Sequence, residues 1–439
     1  MAFFSSHRIK LKITSLVAAS LCAFSAGAET ISATDFIDFD PKQAALGQLL
    51  FYDKILSGNQ NISCATCHHH SLGGTDGLSL GIGEGGVGLG KDRTPGAGAT
   101  KIAARIPRNA PALWNLGHKD VHTLFHDGRV EATDAKGARF ETPAKALLPH
   151  GLNSILAAQA LFPMSSDAEM AGHGDENPVG AAFADRIDKG WDLVTKRVRA
   201  IPEYEDRFAA AFPSVQRAED ITIVEIANAI AAFIGTEWQS YDSPYDAYLT
   251  KGTPLPADAE RGRQLFFGDA GCAQCHNGPL FSDQQFYSVG IPAFGPGRID
   301  GQRDIGRMET TGNPDDAYKF RTPSLRNIAL TGPYGHNGAF PTLTGMIRHM
   351  ANPAASHAAW LPDLAELPKV AWLQDADFKL SSDAAETTRI LADLDLSKVS
   401  LSDDEIADIE AFLQALTGAS AHNLPLGRPD KVPSGLPVD

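Results

Sequence analysis

Apolar positions recur at helical spacing in a few separated stretches of this chain and nowhere alternate for long enough to predict a sheet. Ile221–Trp238 predicts a helix that closes a first domain, and Asp403–Leu416 predicts a second amphipathic helix with Ser402 as its cap and Gly418 beyond its end. Two shorter runs, Gly47-Gln48-Leu49-Leu50-Phe51 and Gly262-Arg263-Gln264-Leu265-Phe266, read as short amphipathic helices. Ser240–Pro256 is polar and turn-rich and reads as a linker. Residues 353–400 carry no usable periodicity, and the Pro- and Gly-rich segment after Gly418 is expected to lie along the surface. The pattern predicts a mostly α fold with long loops.

The N-terminus has a different grammar. Arg8, Lys10 and Lys12 precede the apolar run Ile13–Ala26, and Ala26-Gly27-Ala28 is a small-residue cleavage site. This is the layout of a secretory signal peptide over residues 1–28, with export to the periplasm as the expectation. The run is shorter than a spanning helix, which disfavours an uncleaved anchor, and no other stretch reads as a membrane span after cleavage. Residues 1–28 hold three cations and no carboxylate, so cleavage takes the formal charge from −15 to −18. Such a chain is a poor partner for nucleic acid or an anionic bilayer. Its acidic surface is either plainly solvated or a face for a basic donor protein.

Of five cysteines, Cys22 leaves with the signal, and the other four form Cys64-Ala65-Thr66-Cys67-His68 and Cys272-Ala273-Gln274-Cys275-His276. A single Cys-x-x-Cys also suits a redox dithiol, a zinc half-site or a disulfide. Two copies, each followed by histidine, with no thiol left over in an exported chain, predict two covalently attached c-type haems. Thiols one helical turn apart reach the two vinyl groups of one porphyrin, and His68 and His276 then face the irons.

The motifs sit inside a longer repeat. Each is preceded by one of the short Gly-to-Phe helices. Downstream come Pro111-Ala112-Leu113-Trp114-Asn115 and His126-Asp127-Gly128 in the first copy, Pro323-Ser324-Leu325-Arg326-Asn327 and His336-Asn337-Gly338 in the second. A duplicated cytochrome c-like unit follows, with an N-terminal haem domain over residues 29–245 and a C-terminal haem domain over 246–439. The loop Ser71–Thr100 has eleven glycines, no histidine, no methionine and Glu84 as its only glutamate, so the first haem is expected to keep an open distal face. His118, His122 and His126 are the alternative ligands. For the second haem, the run Thr342–Met350 offers Met346, His349 and Met350, with Met308 as a further competitor, and pattern alone leaves the choice open.

At these residues the chain resembles the bacterial dihaem cytochrome c peroxidases and their relative MauG, which oxidises a protein substrate. The likeness runs from about Asp40 to Leu416. It is most specific in Pro107-Arg108-Asn109-Ala110-Pro111, in Phe125-His126-Asp127-Gly128-Arg129, and from Phe320 through Asn327 to Pro333-Tyr334-Gly335-His336-Asn337-Gly338. The resemblance implies Met350 as the second iron's ligand, a position held by tyrosine in the MauG branch. It implies Gln159, Pro163 and Glu169 as the distal group, with Glu169 the acid–base residue. It also implies a calcium ion held by Asn109 and the carbonyls of Thr331 and Pro333. Two departures stand out. The histidine that many members hold removably over the first haem has no counterpart in Ser71–Thr100, as in members that need no reductive activation. His126 replaces the usual tryptophan relay between haems, which leaves direct tunnelling or a route involving Trp114.

The implied function is reduction of hydrogen peroxide to water at the first haem. Electrons would come through the second from a small periplasmic donor, a cytochrome c or a cupredoxin. A MauG-like oxidase of partner side chains and a non-enzymatic dihaem electron carrier are the rivals. A second copy of the chain is a candidate partner in a homodimer.

Overall fold

Each half of the chain is organised around one crossing of two helices. The computed structural model describes residues 29–98, 101–133, 139–298 and 303–439; the expected signal peptide lies outside the described residues. In the first half Pro41–Tyr52 crosses Ile223–Glu237, and in the second Ala257–Phe267 crosses Asp403–Gln414. Local chemistry starts these helices. The Asp40 carboxylate accepts from the Lys42 and Gln43 amides ahead of Pro41, and capping boxes pair Thr222 with Glu225 and Ser402 with Glu405. Both crossings are made at glycine. A Cβ on Gly47 would stand 1.8 Å from the Ala229 carbonyl oxygen, and one on Gly262 would stand 1.8 Å from that of Asp408. Backbone therefore touches backbone, and only a hydrogen atom fits. One turn later Phe51 packs on Phe233 at 5.1 Å between ring centres, and Phe266 packs on Phe412 at 5.2 Å.

The Pro-x-Leu-x-Asn repeat ties the loop after each haem motif to the end of the closing helix. Asn115 and Asn327 both sit at φ 57°, a left-handed conformation that asparagine tolerates. The Asn115 amide N–H donates to Trp238 O at 2.8 Å, and its side chain exchanges two hydrogen bonds with the Ser240 backbone. The Asn327 N–H donates to Leu416 O at 3.1 Å, and its Oδ1 accepts from the Gly418 amide at 2.9 Å.

Two apolar cores result, one around Leu50, Trp191, Phe208 and Phe233, the other around Tyr245, Phe266, Phe281 and Phe412. The strands described are short. Thr123–Leu124, Val130–Ala132 and Phe140–Glu141 form one antiparallel sheet, with Leu124 opposite Val130, and Phe286–Tyr287 pairs with Phe320–Arg321. The first hairpin carries His126-Asp127-Gly128 in its turn.

Ser240–Pro256 departs from the sequence expectation, residues 353–400 take on structure that no periodicity announced, and the C-terminal tail lies along the surface as expected. Ser240–Pro256 is not a plain linker, because it folds the helix Pro244–Lys251, opened by a Ser243–Asp246 capping box and closed by Gly252 at φ 66°. Residues 353–400 form the helices Pro353–Ala359, Gln374–Asp377 and Ala384–Ala392, with turns between them. The middle of that stretch covers the glycine-rich loop of the first half. The Ser79 amide donates to Glu366 O at 3.0 Å, Arg105 forks onto the Asp377 carboxylate at 2.8 and 2.9 Å, and the Trp372 indole donates to Ile102 O at 3.1 Å. The C-terminal tail lies on the first half in particular, burying Val432 there. Ser434 Oγ donates to Asp53 at 2.6 Å, and Asp439 reaches Lys54 and Thr66. Among the described residues no helix is long and apolar enough to cross a membrane.

Candidate functional site

Cys64–Cys67 form one helical turn capped by Ser63, and the His68 amide donates back to Cys64 O at 3.0 Å. His68 Nδ1–H donates to Gly74 O at 3.0 Å, which leaves Nε2 as the free ring nitrogen. The second motif repeats this, with His276 Nδ1–H donating to Phe281 O at 3.0 Å. Burial lowers both imidazole pKa values and favours the neutral, ligating form. The two accepting loops are held by residues at equivalent places in the repeat. The Trp114 indole donates to Gly73 O at 2.9 Å, and the Arg326 guanidinium donates to Pro279 O. Trp114 therefore supports the loop that orients His68.

Beside the first motif opens a cavity of about 150 Å³ lined by Cys64, Cys67 and His68, and by Gln159, Pro163 and Glu169. Gln159 comes from the helix Ile155–Ala160, capped by Ser154, and Pro163 starts the next turn. Glu169 lies in the wide turn Asp167–Ala171, where the Ser166 hydroxyl accepts from its amide. The flanking carbonyls of that turn are anchored: Ala168 O accepts from the Glu84 amide at 3.1 Å and Met170 O from the Gly58 amide at 2.7 Å. Burial raises the Glu169 carboxyl pKa, and the nearby Arg129 charge offsets part of that rise. Asp76, which no sequence motif marked, lines the same cavity. Its Oδ1 accepts from the Leu78 amide at 3.0 Å, and burial pushes its pKa to about 7.

Of the alternative histidines, His118 packs on Phe36 and His122 bonds to Asp120 O at 2.9 Å, and neither lines this cavity. His126 does line it, but its Nε2–H donates to Asn109 O at 3.1 Å. Burial, followed by the Arg108 charge, pushes its pKa down to about 4, so it stays neutral. His336 lies flat on Phe320 with ring centres 3.6 Å apart. Between the halves Arg108 reaches Asp127 at 2.7 Å and Asp304 at 2.6 Å, while Arg129 and Arg298 also face Asp127. Sequence reading missed Asp304 and Arg298, which sit in no motif.

The family described as "Di-haem cytochrome c peroxidase" matches residues 41–253. The methylamine utilization protein MauG of Methylorubrum extorquens is 32% identical over 313 residues, covering 70% of this chain and 68% of that protein. The chain belongs to the di-haem cytochrome c peroxidase and MauG family. The cytochrome c551 peroxidase of Pseudomonas aeruginosa is 30% identical over 312 residues, 71% of this chain and 72% of its own length. A crystal structure of a MauG-like protein associated with microbial copper homeostasis superposes with a TM-score of 0.60 at 29% identity, covering 92% of this chain and 97% of that one.

As a family member the chain is a di-haem, peroxidase-type oxidoreductase with a mostly helical fold. Its residues suit two haems: four cysteines free of disulfides and two histidines with Nδ1 spent on carbonyls. On the second-haem side Met350 is half-buried in the last turn of the helix Leu343–Ala351. His349 is buried, with Nε2–H on Val289 O at 2.8 Å, Met346 packs into the second core, and Met308 opens the separate short helix Met308–Thr311. For calcium, Asn109 Nδ2 donates to Leu78 O at 2.7 Å, which leaves Oδ1 as the end to offer a cation. Thr331 and Pro333 flank Gly332. Among the described residues there is no group of three or more His, Cys, Asp or Glu that could hold a metal, so a calcium site would rest on amide and carbonyl oxygens.

Proposed function

We propose that this family member reduces hydrogen peroxide to water in the first-half cavity, with haem attached through Cys64 and Cys67 and ligated by His68. The observation that carries this reading is the convergence of Gln159 and Glu169 on the cavity that His68 lines, with neither His118 nor His122 lining it. When bound, haem supplies an iron that takes up peroxide and exchanges electrons. Glu169, half-buried and raised in pKa, accepts a proton from the near oxygen of peroxide and returns it to the far one, so that water can leave. Gln159 orients the peroxide by hydrogen bonding, and Pro163 bounds the pocket. The neutral His126 keeps its Nε2–H on Asn109 O and takes no proton in this scheme.

The second half is read as the electron entry, where Cys272 and Cys275 would attach a haem and His276 and Met350 would ligate its iron. The engagement of His349 Nε2–H with Val289 O supports Met350 over His349 as the ligand. Electrons come from a small periplasmic cytochrome c or cupredoxin. The signal-like segment 1–28 supports that location, and the two apolar cores support two domains, with Tyr245 and its helix Pro244–Lys251 on the side of the second core. Calcium at Asn109, Thr331 and Pro333 and a homodimer complete the proposal.

Electron paramagnetic resonance of the oxidised protein tests it. One high-spin and one low-spin haem are expected, with the high-spin signal lost on adding peroxide. Two low-spin haems inert to peroxide would leave only the electron carrier. A second reading, oxidation of a partner protein's side chains, is favoured by the 32% identity to MauG. It predicts slow turnover with reduced cytochrome c and covalently oxidised products on proteins that co-purify.

A further inference from the structure

Behind Glu169 stands the glycine-rich loop, and one guanidinium holds it from within. Arg93 is 4% exposed. It donates from Nε to Ile82 O at 2.6 Å, from Nη2 to Gly83 O at 2.7 Å and from Nη1 to Gly88 O at 2.7 Å. No salt bridge to Arg93 occurs among the described residues, so its fork is spent on backbone carbonyls. Such charge-assisted bonds from a planar, rigid donor fix direction as well as distance.

Gly83 is where this clamp meets the site. A Cβ there would stand 1.9 Å from Ala168 O and 3.0 Å from Glu169 Cα, so the loop backbone presses directly on the acid's own segment. One peptide plane carries the contact across. Its carbonyl, Gly83 O, accepts from Arg93, and its N–H, that of Glu84, donates to Ala168 O at 3.1 Å. Ala168 O in turn belongs to the peptide whose N–H is that of Glu169, and that N–H donates to Ser166 Oγ at 3.3 Å. Peptide planes are stiff, and serial hydrogen bonds polarise one another, so an orientation set at Arg93 is passed to the backbone of Glu169. The Glu84 side chain pins the same plane from the other side, accepting from Asn59 and Asn61, each at 2.7 Å.

We propose that Arg93 is a positioning residue for the peroxide reaction, acting through the Gly83–Glu84 peptide to aim Glu169 into the cavity. The proposal rests on the reading of Glu169 as the acid–base residue. Arg93 makes no contact with substrate in this scheme.

The test uses the two-haem holoenzyme, with the dye ABTS as electron donor. Arg93→Ala is expected to lower kcat/KM for peroxide about tenfold with the KM for the dye unchanged. It should also speed amide hydrogen exchange in both 82–88 and 167–171. In a Glu169→Gln background the same change is expected to add less than twofold, because the group it positions is gone. Arg93→Lys keeps the charge and loses the fork, and is expected to recover little. A full tenfold loss on top of Glu169→Gln, full recovery by lysine, or faster exchange confined to 82–88 overturns the proposal. If Arg93→Ala fails to bind both haems, Gly83→Ala replaces it. Its new methyl displaces Ala168, and the same non-additive loss is expected, with unchanged peroxide kinetics counting against the proposal. If Glu169→Gln alone leaves the peroxide step untouched, the acid–base reading fails, and exchange at 167–171 then decides the clamp by itself.

Discussion

The amide N–H of Asn109 donates to the carbonyl oxygen of His336 at 2.8 Å, joining the segment before the first Pro-x-Leu-x-Asn to the turn after the second. The equivalent bond in the other sense runs from the Arg321 N–H to His126 O, also at 2.8 Å. Asn109 and Arg321 each stand two residues before their repeat proline. The halves thus meet as a self-complementary pair does, by exchanging one bond about a local two-fold. The atoms exchanged are backbone atoms, which any side chain at those positions can supply.

That junction is filled by charge, and it should fail in acid. Asp127 is fully buried among Arg108, Arg129 and Arg298. Burial pushes its carboxyl up, but Arg129, Arg108 and Arg298 pull it further down, to a net position well below the ordinary carboxylate range. Its stabilisation is therefore complete above about pH 4, the unfolded value, and is lost as pH falls through the folded one. His126 and His336 act in the same direction. Burial holds them at about 4 and about 3, so the unfolded chain takes up their protons first as pH drops below about 6.5. Denaturant midpoints should fall steadily from pH 7 to pH 4. Asp127→Asn should cost about 3–5 kcal/mol at pH 7, because it leaves buried guanidiniums unpaired.

The glycine crossings give a second expectation. Gly47→Ala and Gly262→Ala each insert a methyl 1.8 Å from a carbonyl oxygen of the partner helix. Each should cost about 3 kcal/mol or more, since the helices must part along their whole contact. Chemical denaturation of the two variants checks this, and a change under about 0.5 kcal/mol, the scale of an ordinary surface substitution, would contradict the crossing as described.

Glu169→Gln should slow the peroxide step by about 10²- to 10⁴-fold with both haems retained. The carboxylate form is the one that accepts the proton, so kcat/KM for peroxide should fall as pH drops through the Glu169 pKa. Burial raises that pKa, with Arg129 opposing, so the acid limb should lie above the ordinary glutamate value of about 4.3. A stopped-flow pH profile should show the limb in the native enzyme and lose it in the variant.

Replacing Met350 by histidine should lower the potential of one haem by more than about 0.1 V, within the roughly 0.8 V that axial ligands span, and leave the other unmoved. Spectroelectrochemistry reads both couples in one titration. Two unchanged potentials would remove Met350 from the iron.

Legibility in the sequence followed the range of the interactions. The helices Ile223–Glu237 and Asp403–Gln414 were readable because apolar spacing is a local signal, with Ser402 marking the start of the second. The Ser243–Asp246 box was present, but the polar, turn-rich residues around it masked the helix it opens. Residues 353–400 gave no signal because their anchors lie in the other half: Arg105 and Asp377 are 272 positions apart. Arg93 belongs to no sequence motif, and only the folded loop brings Ile82, Gly83 and Gly88 to its three donors.

By itself the chain of residues determined what is covalent and local: two Cys-x-x-Cys-His units, a duplicated frame around them, and helices whose ends carry their own partners. Tertiary structure alone decided which side chains share a cavity with His68, that His126 stays neutral there, and which backbone stands behind Glu169. The reason is that desolvation and Coulomb forces depend on distance in space, and residues far apart along the chain become neighbours only once the helices cross.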